Sequence, residues 1–124
     1  MEIRRYSPGE ECDIWNVYFA ATRESNARDY HPELIDRWAP QDQDMDQWKG
    51  RVAEKNPFVA IVSGAIVGFA ELEINGFIDY FYVHPNWQGR GIGKALLAIV
   101  EAEAAKVGVN VVSADVSITA KAFF

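Results

Sequence analysis

Val83-His84-Pro85-Asn86-Trp87-Gln88-Gly89-Arg90-Gly91-Ile92-Gly93-Lys94-Ala95-Leu96-Leu97 sets three alternating glycines between a strand-like run and a helix-like run. Glycines let successive backbone N–H groups turn toward one point, and the first unpaired donors and positive dipole end of the following helix add to them. The stretch has the geometry of a phosphate cradle, with Arg90 and Lys94 placed to screen remaining charge. A Rossmann fingerprint needs glycine at Lys94, and a P-loop needs glycine at Gln88 and Ser or Thr at Ala95; neither is present. A plain strand-to-helix turn is the alternative, but three glycines exceed what one turn requires.

Upstream of the cradle, Phe58 to Val62, Ala65 to Ile74 and Phe77 to Val83 read as three antiparallel strands joined by Ser63-Gly64 and Asn75-Gly76, the latter a two-residue hairpin signal. Downstream, a helix runs from about Gly91 to Val107, with Gly93, Leu97, Val100, Ala104 and Val107 on one face and Gly108 ending it. Val109 to Asp115 follows as a strand, and a crossover helix makes it parallel to Phe77–Val83. At the front, Ile3 to Tyr6 reads as a strand. Ser7 as cap, Pro8 at the first helical position and Glu10 in a capping box start a helix that reaches about Arg23. Its inward stripe is Ile14, Val17, Tyr18 and Ala21. Two short helices, His31 to Trp38 and Met45 to Glu54, flank Pro40 and form either a lid over a ligand site or a surface excursion. The expected order is β-α-α-β-β-β-α-β: an α+β fold with a mixed, mostly antiparallel sheet, one domain over residues 1–124.

With 124 residues, 49% of them hydrophobic, the chain is long enough for one core. Twelve Lys and Arg against eighteen Asp and Glu, net charge -6, speak against a nucleic-acid surface. The lone Cys12, the acids near the N-terminus and the absence of a long apolar run point to a cytoplasmic protein with no membrane span.

The stretch resembles the GCN5-related N-acetyltransferase (GNAT) family, whose Gln/Arg-x-x-Gly-x-Gly/Ala signature after a Val-x-Pro strand end is matched by Gln88 to Gly93. The strand Ile78 to Pro85, the helix start Lys94 to Leu97 and the element order also look like the family's. The resemblance implies that acetyl-CoA is the co-substrate and that its acetyl group passes to an amine of a small molecule or peptide. It implies a pyrophosphate on the amides of Gln88, Gly89, Arg90, Gly91, Ile92, Gly93 and Lys94, and a pantetheine arm along Phe81, Tyr82 and Val83. Fixed N–H dipoles there would stabilise charge developing on the thioester oxygen.

Direct attack needs a neutral amine and so a carboxylate to take its proton. Asp79 is the first choice, expected on one strand face with Phe81 and Val83 by the period of two; Glu71 and Glu73 are rivals. In many relatives a helix after the last strand carries Asn-x-x-Ala-x-x-x-Tyr, the Tyr protonating the thiolate. Ser117 to Phe124 fits that frame with Ser117 for Asn, a cofactor-binding position, and Phe124 for Tyr, and Phe donates no proton. Tyr82 is a substitute acid or a packed aromatic. Relatives continue into further strands, so the chain reads as C-terminally shortened, with an open sheet edge that predicts a homodimer or larger assembly. A catalytically silent acyl-CoA-binding module, or an assembly protein with a purely structural turn, is the other class of reading.

Asp42-Gln43-Asp44-Met45-Asp46 lacks the glycine and final glutamate of a calcium loop and reads as an acidic helix start. His31 and His84 have no ligand-spaced partner, so no metal is expected. Cys12 has no base beside it and reads as a core or surface residue. Trp15, Trp38 and Trp48 read as packing residues, and Trp87 either packs or flanks the cofactor.

Overall fold

The computed structural model describes residues 1–25, 40, 42–108 and 113–114. Its elements are β1 (Glu2–Arg5), α1 (Glu11–Ala20) running into a π-helical turn (Ala21–Ser25), α2 (Met45–Lys55), β2 (Phe58–Val62), β3 (Ala65–Leu72), β4 (Phe77–Val83), a 3₁₀ turn (Pro85–Trp87), α3 (Ile92–Lys106) and β5 (Ser113–Ala114). The strands lie in the order β1-β2-β3-β4-β5, the first four antiparallel and β5 parallel to β4 through Phe77↔Ser113 and Ile78↔Ala114. This is the α+β architecture expected, with the crossover helix forcing the parallel pair. The expected helix at His31 to Trp38, Ser117 and Phe124 lie outside the described residues.

Helices cover both sheet faces. On one, Ile92, Leu96 and Val100 of α3 pack on Ala60, Val67, Ala70, Ile78, Phe81 and Val83. On the other, Ile14, Val17 and Tyr18 of α1 and Trp48 and Val52 of α2 pack on Val59, Phe69, Tyr80 and Tyr82. The inward stripe of α1 is buried throughout, Ala21 included. Fully burying one such aliphatic side chain contributes about 1.5–3 kcal/mol, so these two layers carry most of the apolar stabilisation.

Several local expectations are corrected. α1 starts at Glu11, not at Pro8: Glu10 Oε1 accepts from Ser7 N–H at 2.7 Å, but Ser7 returns no side-chain cap and the segment closes as a turn. Arg4 holds the same Glu10 carboxylate at 2.7 Å and keeps it below the usual carboxylate range, chiefly by that hydrogen bond. The α-helix also ends at Ala20, and the wider π-turn takes the chain on to Ser25. β3 stops at Leu72 rather than Ile74. Asn75-Gly76 is not a two-residue hairpin: Glu73 N–H donates to Phe77 C=O and Gly76 N–H to Glu73 C=O, a three-residue loop. The Asn75 side chain holds it by accepting from Phe77 N–H at 3.1 Å.

A further correction bears on the site. Ala70 pairs with Phe81, and Leu72 pairs with Ile78, so two residues of β4, Asp79 and Tyr80, stand opposite Glu71 alone. This β-bulge breaks the alternation that period two assumes. Ile78 and Phe81 both face α3, and Asp79 turns to the opposite side from Phe81 and Val83, toward Arg51 and Lys55 of α2.

Candidate functional site

β4 leads through the 3₁₀ turn into the glycine stretch. Gly89 has φ 77° and Gly91 φ 83°, left-handed values that side chains with a Cβ rarely adopt, although open space surrounds both. Gly91 caps α3 rather than beginning it, and its C=O accepts the first helical bond from Ala95 N–H at 3.1 Å. The N–H groups of Ile92, Gly93 and Lys94 therefore have no acceptor within the helix. Among the described residues no side chain caps this end, and no acid lies in its first turn. α2 differs: Asp44 caps it, accepting from Asp46 and Gln47 N–H, as the acidic helix-start reading expects.

The cradle residues divide. Gln88 turns inward, its side chain donating to Val83 C=O at 3.2 Å and its backbone N–H to Pro85 C=O at 3.5 Å. Ile92 buries its side chain in the core, Lys94 is exposed, and Arg90 lies over the Trp87 ring at 4.9 Å. Trp87 itself packs against the α3-side core. Phe81 and Val83 are core residues, and Tyr82 sits in the aromatic layer across the sheet, 5.9 Å from Phe69 and 5.1 Å from Tyr18. A bare, left-handed helix entry of this kind suits a pyrophosphate, which needs amide donors more than side chains.

On the other face, a pocket of about 400 Å³ is lined by Trp15, Tyr18, Gln43, Gln47, Trp48, Arg51, Glu54, Lys55 and Tyr80. Tyr18 stacks on Tyr80 at 5.1 Å, and Arg51 lies over the Tyr80 ring at 3.9 Å. Burial, and the neighbouring Tyr80 and Tyr82, push the Tyr18 hydroxyl far above the ordinary phenol range, so it stays protonated. Trp48 donates its indole N–H to Glu11 C=O at 2.9 Å, locking α2 to α1. The packing expected of Trp15 and Trp48 is present, and the same rings also wall the pocket.

Behind that wall lies an ion-pair network. Arg51 Nη2 binds Glu71 Oε1 at 2.7 Å and Asp79 Oδ2 at 3.3 Å; Lys55 Nζ pairs with Glu73 and with Asp79 Oδ2 at 3.4 Å. The three carboxylates proposed as rivals from sequence thus form one cluster. Glu71 is 1% exposed and Asp79 22%. Burial pushes the Glu71 carboxyl up to about 7, with Arg51 opposing the rise, and its Oε2 has no hydrogen-bond partner among the described residues. Sequence reading overlooked Arg51, Glu54, Lys55 and Tyr80. The spacing Trp48, Arg51, Lys55 along one helical face was the available signal.

The Acetyltransferase (GNAT) domain model matches residues 26–124. The chain belongs to the GNAT acetyltransferase family. This GNAT chain is an N-acetyltransferase that takes its acetyl group from acetyl-CoA. It is 32% identical over its whole length to the uncharacterized N-acetyltransferase YafP of Escherichia coli strain K12, covering 77% of that protein. It is 37% identical over 76 residues, 51% of this chain and 50% of the relative, to an aminoglycoside N(6')-acetyltransferase type 1 of Stenotrophomonas maltophilia. Among solved structures, a GCN5-related N-acetyltransferase of Rhodopseudomonas palustris superposes with TM-score 0.81 at 30% identity, over 87% of this acetyltransferase and 68% of that chain. No helix among the described residues is long and apolar enough to cross a membrane.

Proposed function

We propose that this acetyltransferase holds the pyrophosphate of acetyl-CoA on the amides from Gly89 to Lys94, with Arg90 and Lys94 screening it, and acetylates an amine seated in the aromatic pocket. The observation that carries this reading is the entry to α3: left-handed glycines, no side-chain cap and no first-turn acid at the end of β4. The pantetheine arm lies along the backbone of Phe81 to Val83 on the edge facing β5, as an added strand would. Gln88 shapes the turn, and Ser117 remains a proposed contact. The amine nitrogen bonds to the thioester carbon as the C–S bond breaks; its proton passes to Asp79, and the coenzyme A thiolate takes one from water. Asp79 is preferred to Glu71 because only the former is exposed enough to reach substrate or a bridging water. The aminoglycoside acetyltransferase relative makes a small polar amine a reasonable acceptor.

Calorimetry with acetyl-CoA, run beside a coenzyme A release assay over an amine panel, tests the reading. A β-branched residue tolerates φ near 83° poorly, so Gly91→Val should weaken acetyl-CoA by about tenfold or more while circular dichroism remains native. Unchanged affinity in folded Gly91→Val would refute the cradle. Asp79→Asn should lower kcat with acetyl-CoA affinity unaltered. Full kcat in that variant would remove Asp79 as the base, and coenzyme binding without release would favour a silent binding module. Residues 1–124 are proposed as one domain in a cytoplasmic homodimer joined along a sheet edge, and the exposed free thiol of Cys12 suits a reducing compartment. Sedimentation as a clean monomer at micromolar concentration would end the dimer.

A further inference from the structure

Among the described residues, the charges around the pocket do not balance. Its cations are Arg51 and Lys55; Glu71, Asp79 and Glu73 pair with them, and Glu54 stands on the wall itself, exposed. Two positive groups thus face four carboxyl groups, and the acid excess remains when Glu71 carries its proton. Among the described residues, backbone donors do not absorb the excess at the buried end, because Glu71 Oε2 lacks a partner there on a side chain that is 99% enclosed. Both cations are already engaged by carboxylates, so neither is left to attract an anionic group. Trp15, Tyr18, Trp48 and Tyr80 complete the walls with ring surfaces that accept a cation and its carbon chain. The volume of about 400 Å³ lies toward the lower end of small-molecule pockets, roughly 300–1,000 Å³.

Direct acetyl transfer adds a constraint. The attacking nitrogen must be neutral when it forms its bond, so it cannot itself be the charge that answers the excess. A second cationic group on the same molecule can. We propose that the acceptor is a small diamine or polyamine, one nitrogen of which is acetylated while another stays an ammonium beside Glu54 and the Arg51–Asp79–Lys55 network. This rests on the proposed function, with the aromatic pocket on its acceptor side.

Three amines of equal chain length test it by coenzyme A release: n-butylamine, its counterpart with a second terminal amino group, and its counterpart with a terminal carboxylate. The diamine should exceed the monoamine in kcat/KM by about tenfold, the carboxylate form should be poorest, and added salt should shrink the gap. Glu54→Gln should cut the diamine-to-monoamine ratio about threefold or more. That ratio cancels any loss of folded protein. Equal rates, a preference for the carboxylate form, a ratio unmoved by Glu54→Gln, or no transfer to any of the three while acetyl-CoA still binds would each overturn the inference. Failure of acetyl-CoA to bind in calorimetry would instead bring down the proposed function, and this inference with it.

Discussion

Beneath α3 the sheet buries Ala60, Val67, Ala70, Ile78, Phe81 and Val83 against Ile92, Leu96 and Val100; beneath α1 and α2 it buries rings, and beside them Glu71 with its Arg51 partner. The first face is apolar and responds to volume. The second is polar at its margin and responds to charge. The proposed function gives the difference a reason: α3 needs a rigid seat so that its first turn points at one place, whereas the other face would present ionisable groups to a substrate. A buried ion pair is a poor source of stability. Among the described residues it stands on one face only, the face proposed for chemistry.

Breaking the pair should give the largest effect. Arg51→Leu leaves Glu71 enclosed without its cation, and urea unfolding at a pH where that carboxyl is ionised should show a loss of about 3–5 kcal/mol. On the apolar face, Leu96→Ala, fully buried in the wild type, should cost about 2–5 kcal/mol. The loss from Leu96→Ala should not change with pH, which separates the two faces. Glu71 sharpens the contrast. Its folded carboxyl titrates near 7, above its usual value of 4.5, so the folded state holds the proton more tightly. That contribution to stability is fully present below 4.5 and is lost as pH rises through about 7, on the order of 3 kcal/mol in all. Glu71→Gln should lack this downward slope, so the difference between variant and wild type should change as pH rises from 4.5 through about 7; parallel curves would show that Glu71 carries no such contribution.

Gly68 probes how closely α3 is seated. A Cβ there would meet Leu96 Cδ1 and the Tyr82 carbonyl, each at 3.1 Å. Gly68→Ala should cost about 1–3 kcal/mol and lower the melting temperature by several degrees. The smallest effect belongs to Asp44→Ala, about 1 kcal/mol from loss of the α2 cap, with acetyl-CoA affinity unmoved.

Much of the fold was legible because its signals are local. The exact bounds of β2 and β4, the stripe Ile14, Val17, Tyr18 and Ala21, and the glycine-led start of α3 all follow from spacing along a few residues. The side that Asp79 faces was not legible. The bulge opposite Glu71 depends on how β3 and β4 pair, and nothing in Ile78 to Phe81 announces an extra residue. The late start of α1 was hidden for a related reason: Ser7 and Glu10 satisfy a capping-box spacing, yet Arg4 draws the Glu10 carboxylate into a turn. Glu71 read as one of three strand acids. Its burial is set by Arg51 arriving from another helix, a contact between positions 20 residues apart.

On the proposed cradle, the start of α3 would give acetyl-CoA a second role, as a piece of the architecture. α2 carries its own terminal group in Asp44, but the amides of Ile92, Gly93 and Lys94 must find theirs outside the helix. A ligand that occupies them in the native state and not in the unfolded chain adds about 2.7 kcal/mol at a hundredfold excess over its Kd. Cellular coenzyme supply would then set how long the protein lasts as well as how fast it works.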